Sequence, residues 1–197
     1  MAGSLGIVGI VLICVWGSMT YRINKAYPNP ENIPVKLGER TKFHGAFLTG
    51  ESAEVLSPEE MLENYPQLTD TYEIMGEEIS KEMLQDFQQY NYMLVKVKLV
   101  NGTDCDINFG KNGDALYWIF EEGRESNAQE MFLFQTLNPE YSGSGIKANS
   151  EQEVILVSSI MKMYQSLEEL KKQEIKVVYS YYPTKNYISI LPEERIS

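Results

Sequence analysis

The chain has 197 residues, 43% of them hydrophobic, enough to bury one sizeable core but short of two. Its formal charge is −11 and every one of its 28 acidic residues follows Pro30; without Arg22 and Lys25, 15 basic residues face those 28 acids, a net −13 for residues 31–197. Such a surface repels phosphate backbones, which argues against a nucleic-acid partner, and two cysteines, Cys14 and Cys105, are too few for a disulfide framework.

From Met1 to Tyr21 no side chain is charged, and Leu5 to Trp16 is almost wholly aliphatic. Roughly 20 helical residues at about 1.5 Å each cover a ~30 Å hydrocarbon core, so residues 1–21 are long enough to span a membrane. Three readings compete for this segment: an uncleaved anchor, a cleaved signal peptide, and a lipoprotein signal with Cys14 as the lipid acceptor. Leu12 and Ile13 stand before Cys14 where lipid processing wants a small residue, and no clean A-x-A pattern marks a cleavage site after Gly17 or Ser18. The anchor is the leading reading. Arg22 and Lys25 follow the apolar run and by themselves favour a cytoplasmic domain, but long domains translocate largely regardless of nearby charge. We therefore expect a single-pass cell-membrane protein with its domain outside the cytoplasm.

Residues 22–36 carry three prolines, Pro28, Pro30 and Pro34, and are expected to form an extended stalk; residues 37–197 are expected to form the domain. Thr41 to Leu56 reads as a hairpin broken at Gly45 and Gly50. Ser57-Pro58-Glu59-Glu60 starts a helix with Ser57 as N-cap and Glu60 closing the capping box, and Pro66 is expected to end it. In a second acidic helix, Glu77 to Gln88, residues Ile79, Met83, Leu84 and Phe87 fall at helical spacing. The clearest strand is Tyr92 to Val100, where Val95, Val97 and Leu99 alternate with Lys96 and Lys98. Asn101-Gly102 turns it, and Ile107 and Phe109 resume the alternation. Further strands are expected at Ala115–Phe120, Met131–Phe134 and Glu153–Ile160, then a capped helical turn at Ser166–Glu169, then strands Ile175–Tyr182 and Tyr187–Leu191 around a loop of Pro183 to Asn186. About eight short strands without βαβ alternation, in a chain with 13 tyrosines, predict an antiparallel β-sandwich with short helical insertions.

Three stretches carry a family resemblance: the run from Tyr92 to Asp104 (YMLVKVKLVNGTD), Lys36-Leu37-Gly38-Glu39, and Lys147–Val157. Over residues 35–191 the chain resembles the immunoglobulin-like extracytoplasmic domains of unknown function found in Gram-positive, often clostridial, lipoproteins and single-pass membrane proteins. The resemblance implies an immunoglobulin-like sandwich, an exported location and an interaction role, with no catalytic residues to carry over. The chain departs from it in lacking a usable lipid-attachment motif and in the acidic helical insertion at 57–88.

No constellation points to catalysis or to a cofactor. The single histidine, His44, sits between Phe43 and Gly45 in the presumed hairpin, and one histidine makes neither a nucleophile–base pair nor a zinc site unaided. Adjacent carboxylates such as Glu59/Glu60 and Glu121/Glu122 point apart on exposed elements. Asp104, Asp106 and Asn108 alternate like the start of a calcium loop, but Phe109 stands where that loop needs glycine and Ala115 where it needs glutamate. Asn101-Gly102-Thr103 matches a glycosylation acceptor and also a tight turn, and the turn is preferred. Cys105 is expected to point inward as a small apolar filler. The expected function is a membrane-anchored, non-enzymatic binding or accessory domain with a protein partner; the alternatives are a structural envelope protein and a carboxylate-dependent hydrolase. One possible contact surface emerges. If Pro183 to Asn186 form the loop, Tyr182 faces Tyr187 on the wetter side of the last hairpin with Lys176, Val178, Ser180 and Ser189, opposite a core face of Ile175, Val177, Tyr179, Tyr181, Ile188 and Ile190.

Overall fold

The computed structural model describes residues 15–23, 25–26, 30–74, 77–108, 118–122, 125–141, 145–180 and 184–191. Residues 15–23 are helical, and no helix among the described residues is long and apolar enough to cross a membrane. The first 14 residues of the expected anchor lie outside the described residues.

Eleven strands and five helices follow in chain order: β1 (Glu31–Lys36), β2 (Arg40–Phe43), β3 (Ala46–Leu56), α1 (Pro58–Asn64), α2 (Gln67–Ile74), α3 (Glu77–Phe87), β4 (Tyr90–Asn101), β5 (Ile107–Asn108), β6 (Ile119–Glu122), β7 (Glu125–Ala128), α4 (Met131–Leu137), β8 (Gly145–Ile146), β9 (Ser150–Met161), α5 (Leu167–Lys172), β10 (Ile175–Ser180) and β11 (Thr184–Ile190). One sheet has the order β2-β3-β4-β9, a second β1-β11-β10-β6-β7, and β5 pairs with β8. Among the described residues every pairing is antiparallel except β1 with β11, which is parallel. The fold is a β-sandwich with short helices.

β4 shows why the layers form. Met93, Val95, Val97 and Leu99 share one strand face and are fully buried together with Phe120, Val177 and Ile188 of the other sheet. The sheets approach closely at Gly50, where an added Cβ would lie 3.1 Å from both Ile188 Cγ2 and Leu37 Cδ2. A β-bulge between Gly50 and Ser52 sits at that approach. On the other face of β4, Lys96 and Lys98 pair with Glu153 and Glu151 at 2.6 and 2.8 Å, whereas Tyr92 and Leu94 are buried. The wet face expected along the whole strand is therefore confined to its second half.

The β2–β3 hairpin turns on His44 and Gly45, both with positive φ (46° and 91°), as a two-residue loop between right-twisted strands requires. Both capping boxes are in place, Ser57 with Glu60 and Ser166 with Glu169.

Four expectations change. Residues 31–36 are not stalk but the edge strand β1, where Pro34 is tolerated because an edge leaves one side of the ladder unpaired. Helix α1 does end before Pro66, as expected, and a further short helix, α2, follows it with Leu68 fully buried. The run from Met131 to Phe134 is the start of helix α4, which buries Leu133, Phe134 and Leu137; four apolar residues do not distinguish the two periods. Cys105 is exposed, because the strand stops at Asn101 and the bend at 103–105 breaks the alternation. The last strand begins at Thr184, three residues before the expected position. Phe109 and residues 115–117 lie outside the described residues.

Candidate functional site

On the outer face of β4 and β9, between α3 and α4, lies an open groove of about 220 Å³. The last turn of α3 supplies Met83, Asp86 and Phe87, whose i, i+3, i+4 spacing puts them on one helix face. β4 adds Tyr90 and Tyr92, two residues apart and hence on the same side of the sheet, and β9 adds Ser159, which stands opposite Tyr92 in the ladder. Glu130, the N-cap residue of α4, and the adjacent Phe132 and Leu133 complete the lining.

The groove has an aromatic floor and an acidic mouth. Phe87 and Tyr92 stack with centroids 4.5 Å apart and planes at 23°, and the Tyr92 hydroxyl donates to the Phe87 carbonyl at 2.9 Å. The Ser159 hydroxyl donates to Glu130 Oε1 at 2.8 Å. Burial raises the Tyr90 phenol above its ordinary pKa, and the fields of Asp86, Glu130 and Tyr164 push it the same way. The carboxylates of two helices thus act at one hydroxyl. Both acids are solvent-exposed, unlike the desolvated acid of a glycosidase-type pair.

Beside the groove the turn after β9 is tied down by the Lys162 amide donating to the Gln89 carbonyl at 2.9 Å. It presents Met163 and Tyr164, 77% and 72% exposed, and Met131 at the start of α4 is also exposed.

Of the expected contact pair, only Tyr187 belongs to the described residues. Tyr187 stands opposite Val178, not Tyr182, because β11 starts at Thr184 and the β10–β11 register shifts between Val178 and Ser180. Tyr187 is only 9% exposed, with Lys176 Nζ 5.4 Å from its ring centroid; Tyr182 lies outside the described residues. Of the core face expected for this hairpin, Ile175, Val177, Ile188 and Ile190 are buried and Tyr179 is half-buried, while Tyr181 lies outside the described residues; Val178, expected on the wetter face, is buried as well.

The other residues weighed for chemistry have structural work. Asn101 is buried; its Oδ1 accepts from the Thr103 amide at 2.9 Å and its Nδ2 donates to the carbonyls of Cys105, Ile146 and Lys147, which is the turn and not an open glycosylation site. Asp104 accepts from Asn149 Nδ2 at 3.0 Å, while Asp106 accepts from Lys147 Nζ at 2.7 Å and from the Ala148 amide at 2.9 Å. Among the described residues no group of three or more His, Cys, Asp or Glu side chains could hold a metal ion.

The groove escaped sequence reasoning because four separate segments build it. The nearest signal was the helical spacing of Met83 and Phe87 followed by Tyr90 and Tyr92.

No family model and no curated protein matches the sequence. Among solved structures, similarity is found to a functionally unknown protein from Listeria monocytogenes (10% identity, 81% of this chain and 82% of that one, TM-score 0.46). It is also found to an uncharacterised β-sandwich protein from Clostridium difficile (9%, 82% and 95%, TM-score 0.44). A protein from Staphylococcus aureus proposed to be a lipoprotein is similar over 82% of this chain and 93% of that one, at 10% identity and a TM-score of 0.43.

Proposed function

We propose that the protein is a membrane-attached, extracytoplasmic binding or accessory domain without catalytic activity, and that it holds its protein partner at the groove over β4 and β9. The observation that carries this reading is the collar of exposed Met131, Met163 and Tyr164 beside an aromatic cleft. Such side chains cost solvation free energy in the open and recover it when a partner covers them. Attachment is supported by the uncharged run from Met1 to Tyr21 and by the apolar side chains that residues 15–23 expose, Val15, Trp16, Met19, Tyr21 and Ile23.

An immunoglobulin-like arrangement is supported by strand order. If β4, β6, β9, β10 and β11 correspond to strands B, C, E, F and G, then B and E are neighbours in one sheet and C-F-G run in order in the other. Trp118, fully buried immediately before β6, supports the same reading, since such domains bury a tryptophan on strand C.

The test uses intact cells carrying the full chain. A photo-crosslinking residue at position 163 or 164 is expected to yield a discrete protein adduct, while one at exposed position 172 yields none, and added protease is expected to reach the domain without lysis. Digestion only after lysis, or equal adducts from both surfaces, would overturn the reading.

A further inference from the structure

We infer that the groove over β4 and β9 receives a lysine or arginine side chain, presented by an apolar-flanked segment of the partner protein; this rests on the binding reading above. Among the described residues, four rings line the cleft, Phe87, Tyr90, Tyr92 and Phe132, with two carboxylates, Asp86 and Glu130, and none of these lining residues is cationic. Aromatic faces attract a cation through their quadrupole, and they do so more strongly where water is displaced. The carboxylates supply the charge-assisted acceptors that an ammonium or guanidinium requires. Glu130 spends one oxygen on the Ser159 hydroxyl, and an ionised carboxylate has about four acceptor positions in all.

Other occupants fit less well. An apolar side chain would cover Asp86 and Glu130 without replacing their water, at a desolvation cost. An anion would meet both carboxylates and a chain of net charge −11. The exposed collar of Met131, Met163 and Tyr164 would be left uncovered by a free amine, whereas a peptide segment brings apolar neighbours to it. Lys162, on the same turn, is not among the residues lining the groove, and its charge acts on Glu59 of α1.

The experiment is calorimetric titration of the full chain in detergent micelles at low ionic strength. The probes are capped Leu-Lys-Leu, capped Leu-Glu-Leu and tetramethylammonium chloride. The lysine peptide is expected to bind at least tenfold more tightly than the glutamate peptide. Asp86→Asn with Glu130→Gln, two exposed substitutions, is expected to remove that preference while leaving the melting temperature unchanged. Equal affinity for the two peptides, a preference that survives the double variant, or no binding of any probe overturns the assignment. Tighter binding of tetramethylammonium than of the lysine peptide overturns the peptide source in favour of a small quaternary cation. The two readings fail separately. Adducts at position 163 that persist in the double variant leave the binding domain standing and sink the cation; adducts missing from the unsubstituted chain sink the binding reading first.

Discussion

Asn138 meets Ile155 as one strand meets another: its Oδ1 accepts from the Ile155 amide at 2.7 Å and its Nδ2 donates to the Ile155 carbonyl at 2.8 Å. β9 is the edge of its sheet, and the Glu130 amide continues the protection by donating to the Val157 carbonyl at 2.8 Å. An otherwise open ladder is thereby closed against a second chain. Asn138→Ala is expected to cost about 1–3 kcal/mol, since it leaves the Ile155 groups without their protein partners. Asn138→Asp is expected to cost at least as much, because its carboxylate faces the carbonyls of Phe134 and Ile155, both now served by Nδ2. Urea unfolding checks both; a loss below about 0.5 kcal/mol would mean that water replaces the amide at no penalty.

The second expectation is an alkaline one. The Tyr141 hydroxyl is buried with no hydrogen-bond partner among the described residues, its ring edge-on to Phe134 at 5.9 Å, and burial raises its pKa far above the ordinary phenol value. As pH rises past about 10, the unfolded chain ionises this tyrosine first. Stability is then lost between the unfolded value and the raised folded one. Tyr141→Phe removes that contribution, so the fall in melting temperature is expected to begin at higher pH. Tyr65 and Tyr179, raised mainly by burial as well, keep the limb from vanishing. At pH 7 the variant is expected to be no less stable, since it discards a buried hydroxyl that bonds to nothing described. Melting curves from pH 7 to 11.5 decide; an unmoved alkaline limb would refute the assignment.

What the sequence disclosed follows from the range of the interactions involved. Capping boxes at Ser57 and Ser166 and the alternation from Val95 to Leu99 are local, and each sits where the residues place it. β1 and β7 were not legible: Glu31–Lys36 is a strand because β11 lies beside it, and Glu125–Ala128 because β6 does. Polar segments of that kind pair through their backbone, which leaves no period in the side chains. α4 was misread for want of length, and the groove was invisible because Asp86, Tyr90, Glu130 and Ser159 meet only after α3, β4 and β9 have packed.

Tyr187 supplies a third test. As half of an exposed cross-strand pair with Tyr182 it would be worth only about 0.2–1 kcal/mol. The structure buries it opposite Val178 with Pro34 of β1 on its other side, and Tyr187→Ala is accordingly expected to cost about 3 kcal/mol. Tyr187→Phe is expected to be mild. A loss under 1 kcal/mol on truncation to alanine would restore the exposed-pair reading.

The last expectation separates the collar from the carboxylates. Met163 and Tyr164 are largely exposed, so Met163→Ser with Tyr164→Ser should change stability by no more than about 0.5 kcal/mol. The same double variant is expected to bind capped Leu-Lys-Leu several-fold more weakly, because the leucine side chains lose the apolar surface that flanks the cleft. The preference for lysine over glutamate should survive it, since Asp86 and Glu130 are untouched and the aromatic floor of Phe87 and Tyr92 remains stacked. Titration of both peptides against the unsubstituted chain, the collar variant and the Asp86→Asn, Glu130→Gln variant therefore yields two independent losses, one of overall affinity and one of charge preference. A collar variant that loses the preference as well would show that Tyr164, whose field already reaches Tyr90, takes part in holding the cation. An unchanged affinity would show that the exposed methionine and tyrosine make no contact with the bound segment, and the partner surface would then have to be sought away from the β9 turn.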